Sequence, residues 1–240
     1  HLRKDKPMNV MNRLHDRELK TEDRRLFDRF GRERKGNYMH TASGRKYWPF
    51  DPRADEIDIE VIAQHLATQA RWQGATRHRR FKSKIFLSVA EHSVYVARFV
   101  RDELNRPDLE LEGLLHDASE SYIGDLIRPM KYSPAFRKPF LEVEQINELK
   151  IAERFNLVYP FPKEIKMADD AVCDAENQQC IYLHPDEEWE SDMLHDPSLT
   201  APYEIQMLQP YEAKAFFLEA YHEAIGRREK YRELPADFHV

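Results

Sequence analysis

The spacing of hydrophobic residues along the chain is typical of amphipathic helices, because apolar positions recur at intervals of three and four and seldom alternate. The pattern predicts a first helix over about residues 57–70 and a second over about 88–104. A third helix is expected to start after Pro107 and to run to about Tyr122.

Three further helices follow in the second half of the chain. Pro139 is predicted to occupy the first turn of the fourth helix, where proline is tolerated. The fifth is expected after Pro162 and the last over about 210–228, with an irregular stretch over about 183–208 between them. We therefore predict an all-α fold.

Length and composition limit the class of protein. The 240 residues suffice for one domain with an extension, and they are 41% hydrophobic and 33% charged. Only seven glycines occur, and neither GxxxxGK[ST] nor GxGxxG is present, which excludes the common phosphate-binding loops. No apolar run reaches the length of a spanning helix, and Cys173 and Cys180 lack zinc-knuckle spacing. We expect a cytoplasmic protein with reduced thiols and no membrane partner.

The charge is uneven although the net value is −6. Residues 1–37 form a basic extension, 77–84 a basic insertion, and 186–192 are strongly acidic. The net negative charge argues against nucleic acid as a partner, so a solvated, partly helical extension is the preferred interpretation of the first segment. The insertion is either a solvated loop or a local attraction for phosphate.

One set of polar residues falls on the buried faces of the predicted helices. The tripeptide Leu-His-Asp occurs at 14–16, 115–117 and 194–196, and only the second copy lies on a strongly apolar helix. His92 and Asp169 occupy apolar registers of the second and fifth helices. Taken singly, each is more simply a surface charge or a core histidine. Together they are four candidate metal ligands from three helices: His92, His116, Asp117 and Asp169.

The ligand types indicate the kind of metal. Two imidazoles and two carboxylates suit a divalent transition metal (Mn, Fe, Co, Ni or Zn), with Mg as an alternative, better than they suit Ca. Such a cation polarises phosphoryl oxygens and lowers the pKa of water. The predicted cofactor is therefore a hydrolytic metal ion.

Three segments, 88–93, 114–125 and 166–169, resemble the H…HD…D pattern of the HD-domain metal-dependent phosphohydrolases. The closer resemblance is to the 5′-deoxynucleotidase-like branch and its phage and prophage relatives, some of which hydrolyse deoxynucleoside triphosphates. It implies a compact HD-type helical bundle over residues 38–228, a metal site between helices and a homodimer. Residues 1–37 would be an extension and 229–240 a tail.

The same resemblance implies roles for individual residues. Glu120 would position or deprotonate the attacking water, or protonate the leaving oxygen, and Asp125 would be a second acid near the leaving group. Arg71 and Trp72 would contact phosphate and nucleoside. Lys131 is a further candidate for phosphate binding.

The resemblance suggests less specific roles for two further residues. Glu176 would support the helix of the last ligand. Where relatives often carry Gly-His-Thr, this chain reads Gly-Ala-Thr at 74–76, and His78 of the insertion is a candidate replacement.

The leading hypothesis is metal-dependent hydrolysis of phosphate from deoxynucleotides, with deoxynucleoside monophosphates first as substrates. The alternative is a deoxynucleoside triphosphate triphosphohydrolase that releases tripolyphosphate. Less favoured are a phosphodiesterase of cyclic or signalling nucleotides and a non-catalytic module that binds nucleic acid or a partner through residues 1–40.

Overall fold

The structure is a computed structural model that describes residues 26–187 and 200–233. The predictions for 1–25, 188–199 and 234–240 lie outside the described residues, and these include most of the basic extension and two of the three Leu-His-Asp tripeptides. The described part is mostly helical, which confirms that part of the prediction. None of its helices has the length and apolarity that crossing a membrane requires.

The helices of the described residues are α1 (Ile59–Thr68), α2 (Val89–Asp102), α3 (Glu110–Leu115), α4 (Glu120–Ile123), α5 (Arg128–Lys131), α6 (Pro134–Phe155), α7 (Lys163–Cys180) and α8 (Pro210–Glu233). Shorter 3-10 turns cover Ala54–Glu56, Arg71–Gly74 and Pro107–Leu109. The first, second, fifth and last predicted helices correspond to α1, α2, α7 and α8 with small shifts of their ends.

Side-chain caps fix the starts of α1 and α2. The carboxylate of Asp58 accepts a hydrogen bond from the backbone N–H of Glu60, and Ser88 Oγ accepts one from the N–H of Glu91. Each cap satisfies a donor that the first helical turn leaves without a partner. The register of α2, and with it the direction of His92, is thereby set by local sequence.

The third predicted helix is not continuous, so that prediction is wrong. After α3 ends at Leu115, the backbone N–H of Ala118 bonds to the carbonyl of Leu115, and that of Glu120 bonds to the carbonyl of Asp117. Each of these hydrogen bonds joins residues three positions apart, as in a 3-10 helix, and is tighter than the four-residue spacing of an α-helix. Apolar spacing over a single turn does not distinguish this geometry from an α-helix. The His116-Asp117 pair therefore lies in a tight turn between α3 and α4.

The fourth helix begins earlier than predicted. Pro134 takes its first position, where a missing N–H costs no helical hydrogen bond, and Pro139 lies in its second turn. The prediction that the helix starts at Pro139 is wrong. Pro134 is also suited to the first position of a helix, and the helix begins there. The short helix α5, directly before it, is also absent from the prediction.

Residues 26–47 form two antiparallel hairpins that the all-α prediction omits. The strands are β1 (Leu26–Phe27) with β2 (Glu33–Arg34) and β3 (Met39–His40) with β4 (Lys46–Tyr47). Strands of two residues are too short to show alternation in the sequence. The buried guanidinium of Arg34 pairs with Asp51 and Glu56, which fastens the first hairpin to the chain beyond the second.

Helix α2 is the centre of the bundle. It packs against α1, α3, α7 and α8, and it is buried along most of its length. A side chain at Gly113 of α3 would meet the backbone of Ala97 at 3.1 Å, so this glycine permits the close approach of α3 to α2. Beside His92, the buried carboxylate of Glu91 accepts backbone N–H bonds from residues 206–208. The packing of α3 and α7 against α2 brings α2, α7 and the turn after α3 around one point.

Candidate metal centre

The four predicted ligands lie in one cluster. His92 Nε2 is 3.3 Å from Asp169 Oδ1 and 3.9 Å from Asp117 Oδ2. His116 Nε2 is 3.2 Å from Asp117 Oδ2 and 4.0 Å from Asp169 Oδ1. Helix α2, the turn after α3, and α7 thus each direct a side chain of the required type to the same place.

The two imidazole rings make this cluster suitable for binding a cation. Both Nε2 atoms are buried and lack a hydrogen-bond partner of good geometry, although carboxylate oxygens lie close. Buried polar atoms are rarely left in this condition, because doing so costs free energy. Donor atoms of His92, His116 and Asp117 all lie within 4.8 Å of one another. The residues present therefore fit a divalent metal.

The opposite nitrogen of each ring is already engaged. His92 Nδ1 lies 2.7 Å from Glu176 Oε1, and His116 Nδ1 donates to the carbonyl of Gly113 at 2.8 Å. A carbonyl can only accept, which puts the proton of His116 on Nδ1 and leaves the lone pair of the neutral ring on Nε2. Metal-binding histidines commonly donate their other ring N–H to a carboxylate or a backbone carbonyl in this way.

The carboxylates of the cluster carry charge. Burial by itself would raise the pKa of Asp117, but the adjacent His116 and His92 rings lower it to about 2. Burial would likewise raise the pKa of Asp169, but the His92 ring 3.3 Å away is the main influence that brings it well below its ordinary value. A cation placed between them would neutralise this partly buried negative charge.

His92 holds a proton that a metal would have to displace. Burial and Arg71 oppose its charged form, yet the carboxylates of Glu176 and Asp169 raise its pKa to about 9. Ligation requires the neutral ring, so metal binding is expected to release a proton.

A second group of donors lies on the other side of His92 and consists of Cys173 and Glu176, neither of which the sequence analysis predicted as a metal ligand. The guanidinium of Arg71 is 3.1 Å from Cys173 Sγ and 3.1 Å from Glu176 Oε2, and its charge repels a cation. Burial also raises the pKa of the Cys173 thiol, which keeps it a poor ligand. The spacing of Asp169, Cys173 and Glu176 on one helical face is the sequence signal that marks them as neighbours.

The two predicted acids lie beside the cluster. Burial and the charges of Asp117 and Asp125 raise the pKa of Glu120 well above its ordinary value. Burial likewise raises the pKa of Asp125, which follows Gly124 at a positive φ of 76°. Glu120 Oε2 accepts a hydrogen bond from Gln69 Nε2 at 2.9 Å, a contact that the sequence analysis missed.

Arg71 and Trp72 lie in the 3-10 turn after α1 and point their N–H groups at one carboxylate. Glu176 Oε2 accepts from Arg71 Nη2 at 3.1 Å and from Trp72 Nε1 at 2.8 Å. Arg71 Nη1 also lies 3.8 Å from Asp117 Oδ2. Trp72 as a whole residue remains 39% exposed, so part of it is accessible to solvent.

Lys131 lies in α5, with its Nζ donating to Glu144 Oε1 at 2.7 Å. Glu144 is four residues before Glu148 on α6. The carboxylate of Glu148 accepts a hydrogen bond from Tyr159 OH at 3.0 Å. The predicted phosphate-binding lysine therefore has a carboxylate partner in this structure.

The basic insertion is built into the fold. Arg79 donates to the carbonyls of Asn177 and Ile181 at the end of α7, and Lys84 donates to the carbonyl of Gln206. His78, the candidate replacement for the histidine of relatives, is 4% exposed and accepts backbone N–H bonds from Arg80 and Phe81. The side chains of Arg79, Lys84 and His78 therefore make hydrogen bonds to backbone groups of the fold.

The fold and this cluster define a helical protein with a histidine–carboxylate site at its centre. No family model matches the chain. It is 34% identical over 194 residues to the uncharacterized protein RCAP_rcc00048 of Rhodobacter capsulatus, a match that covers 77% of this chain and 94% of that protein. The chain belongs to the same family as this protein. It is also 26% identical over 188 residues to the uncharacterized protein YfdR of Escherichia coli K12, covering 78% and 95% of the two chains.

Proposed function

We propose that this chain is an HD-type metal-dependent phosphohydrolase whose bundle holds a divalent transition metal between α2, the turn after α3, and α7. One observation carries the proposal: two buried imidazole nitrogens without hydrogen-bond partners face two ionised carboxylates. The resemblance noted above supports it, because the four residues of the H…HD…D pattern are the ones that converge.

The favoured substrate is a deoxynucleoside monophosphate. Among the described residues, three cations in this neighbourhood already contact carboxylates: Arg71 with Glu176, Lys131 with Glu144 and Lys166 with Asp169. The cations of the basic insertion that bond to backbone carbonyls are directed elsewhere. One phosphate can be met by Arg71 and a metal, whereas a triphosphate needs more unpaired positive charge.

The metal, when bound, supplies a Lewis acid for the phosphoryl group and a lower pKa for water. His92, His116, Asp117 and Asp169 hold it. Arg71, with a guanidinium suited to bidentate contact, binds and orients the phosphate. Glu120 moves the proton between water and the leaving oxygen, since its raised pKa makes it hold a proton more readily than an ordinary carboxylate does. Asp125 assists at the leaving oxygen.

The test is metal analysis of the purified protein together with a screen of deoxynucleoside 5′-monophosphates, triphosphates and cyclic nucleotides. We expect bound transition metal and release of inorganic phosphate from monophosphates. Tripolyphosphate would instead identify a triphosphohydrolase, and a linear nucleotide from a cyclic one would identify a phosphodiesterase. Metal-loaded protein that hydrolyses none of them contradicts an enzymatic role, and partner binding unaffected by His116→Ala would then favour a binding module.

A further inference from the structure

One buried carboxylate connects the candidate metal ligand His92 to the turn that carries Arg71 and Trp72. Glu176 lies about two turns after Asp169 on α7, and its side chain is fully buried. Oε1 contacts the ring of His92 at 2.7 Å. Oε2 accepts from Arg71 Nη2 at 3.1 Å, from Arg71 Nε at 3.3 Å and from Trp72 Nε1 at 2.8 Å.

We propose that Glu176 is a positioning residue that orients His92 toward the metal with one oxygen and holds Arg71 and Trp72 at the same site with the other. This inference rests on the proposed function and deepens it, because it gives one residue control over both metal and substrate binding. It also differs from the role that the sequence suggested, which was support for the helix that carries Asp169.

The contact with His92 fixes which ring nitrogen can bind a cation. The carboxylate of Glu176 already accepts hydrogen bonds from Arg71 and Trp72, so it acts as an acceptor toward His92 as well, and the proton that it shares with His92 lies on Nδ1. The other nitrogen, Nε2, then faces Asp117 and Asp169. Carboxylates behind metal-binding histidines hold the ring in this way and strengthen it as a ligand.

The contact with Trp72 holds a strained turn. Trp72 and Gln73 have backbone φ values of 54° and 53°, in the left-handed region that large side chains seldom adopt. Such conformations persist where surrounding contacts hold them, and they are frequent at functional sites. The hydrogen bond from Trp72 Nε1 to Glu176 is a contact of this kind, and Trp72 remains partly exposed.

The experiment is a Co²⁺ titration of the metal-free full chain, followed by visible absorption. Glu176→Gln keeps the size of the side chain and removes its charge, and we expect it to weaken Co²⁺ binding by roughly 10–100-fold with an altered ligand-field spectrum. Trp72→Phe removes one donor to Glu176 and leaves the His92 contact intact. It should keep wild-type Co²⁺ affinity and raise KM more than it lowers kcat.

The matched control is Asp174→Asn, because Asp174 is a buried carboxylate on the same helix that bonds to Gln178 and Thr200. It should leave Co²⁺ affinity and spectrum unchanged. Should Glu176→Gln fail to fold by circular dichroism, Glu176→Asp keeps the charge but is one methylene shorter, and it should also weaken Co²⁺ binding.

The outcomes separate this inference from the proposed function. Wild-type Co²⁺ affinity and spectrum in folded Glu176→Gln or Glu176→Asp overturn the role of Glu176 alone. A wild-type chain that binds Co²⁺ and hydrolyses no nucleotide overturns the enzymatic proposal, while the metal titration still measures the role of Glu176. A wild-type chain that binds no Co²⁺ overturns both.

Discussion

Asp169 Oδ1 lies 3.3 Å from the unpartnered Nε2 atom of His92, across the interface between α7 and α2. If this gap receives a metal, the metal joins two helices that are distant in sequence, and binding must stabilise the folded chain. We expect Co²⁺ or Mn²⁺ at a hundred times its Kd to raise the free energy of unfolding by about 2.7 kcal/mol, and a chelator to reverse the gain. Thermal unfolding with and without metal measures it.

Asp169→Asn should remove most of this metal-dependent gain. The amide cannot supply the negative charge that the site offers, although it preserves the shape of the side chain. Glu164→Gln is the control on the same helix, since Glu164 pairs with Arg106 at 3.3 Å. Equal stabilisation of Asp169→Asn and the wild type by metal would exclude Asp169 as a ligand.

Glu120 is expected to be needed for turnover and not for metal binding. Glu120→Gln cannot transfer the proton, so we predict a fall in kcat of about 10²–10⁴-fold with Co²⁺ affinity preserved. Gln69→Leu removes the hydrogen bond to Glu120 and keeps the acid, and the loss should be much smaller. Steady-state kinetics on the best monophosphate gives both values. Loss of metal together with loss of activity in Glu120→Gln would instead make Glu120 a ligand.

The convergence of His92, His116 and Asp169 could be anticipated from the sequence because His92 and Asp169 fall in apolar helical registers and His116 directly follows an apolar run. A charged or polar residue on a buried face needs a partner, and in a small bundle another such face can supply it. The break between α3 and α4 could not be anticipated. It depends on backbone bonds that apolar periodicity does not report, and it sets the direction of His116 and Asp117.

The local pattern of the sequence could not predict contacts between residues that are far apart along the chain. Glu176 and His92 are 84 positions apart, and Trp72 and Glu176 are 104 apart. A spacing of seven residues places Glu176 on the same helical face as Asp169, but no property of that face says which neighbouring helix it meets. The structure therefore supplies the partner of Glu176, which the sequence pattern left undetermined.

The basic insertion should contribute to stability and not to substrate binding. Arg79 donates to carbonyls at the C-terminal end of α7, where a positive charge also interacts favourably with the helix dipole. We expect Arg79→Ala to lower the free energy of unfolding by about 1–2 kcal/mol and to leave KM unchanged for both mono- and triphosphates. Lys82→Ala, at an exposed position of the same loop, is the control. A KM that rises selectively for triphosphates in Arg79→Ala would assign the insertion to substrate binding.

Glu148 is expected to make the stability of the fold depend on pH. Burial, together with the charge of Glu144, raises its pKa from 4.5 to about 7. The folded state therefore binds a proton more strongly than the unfolded chain does, so the stabilisation is full below pH 4.5 and is lost as the pH rises toward 7.

Glu148→Gln should remove this loss, because the amide stays neutral and can still accept the hydrogen bond from Tyr159. Relative to the wild type, the variant should gain about 1–3 kcal/mol in the free energy of unfolding on going from pH 4.5 to pH 8. Denaturant unfolding at the two pH values measures the difference, and Glu153→Gln, an exposed carboxylate on α6 that pairs with Lys150, should show no such change. A stability difference between Glu148→Gln and the wild type that is the same at both pH values would mean that Glu148 ionises at its ordinary pKa and does not govern the pH dependence.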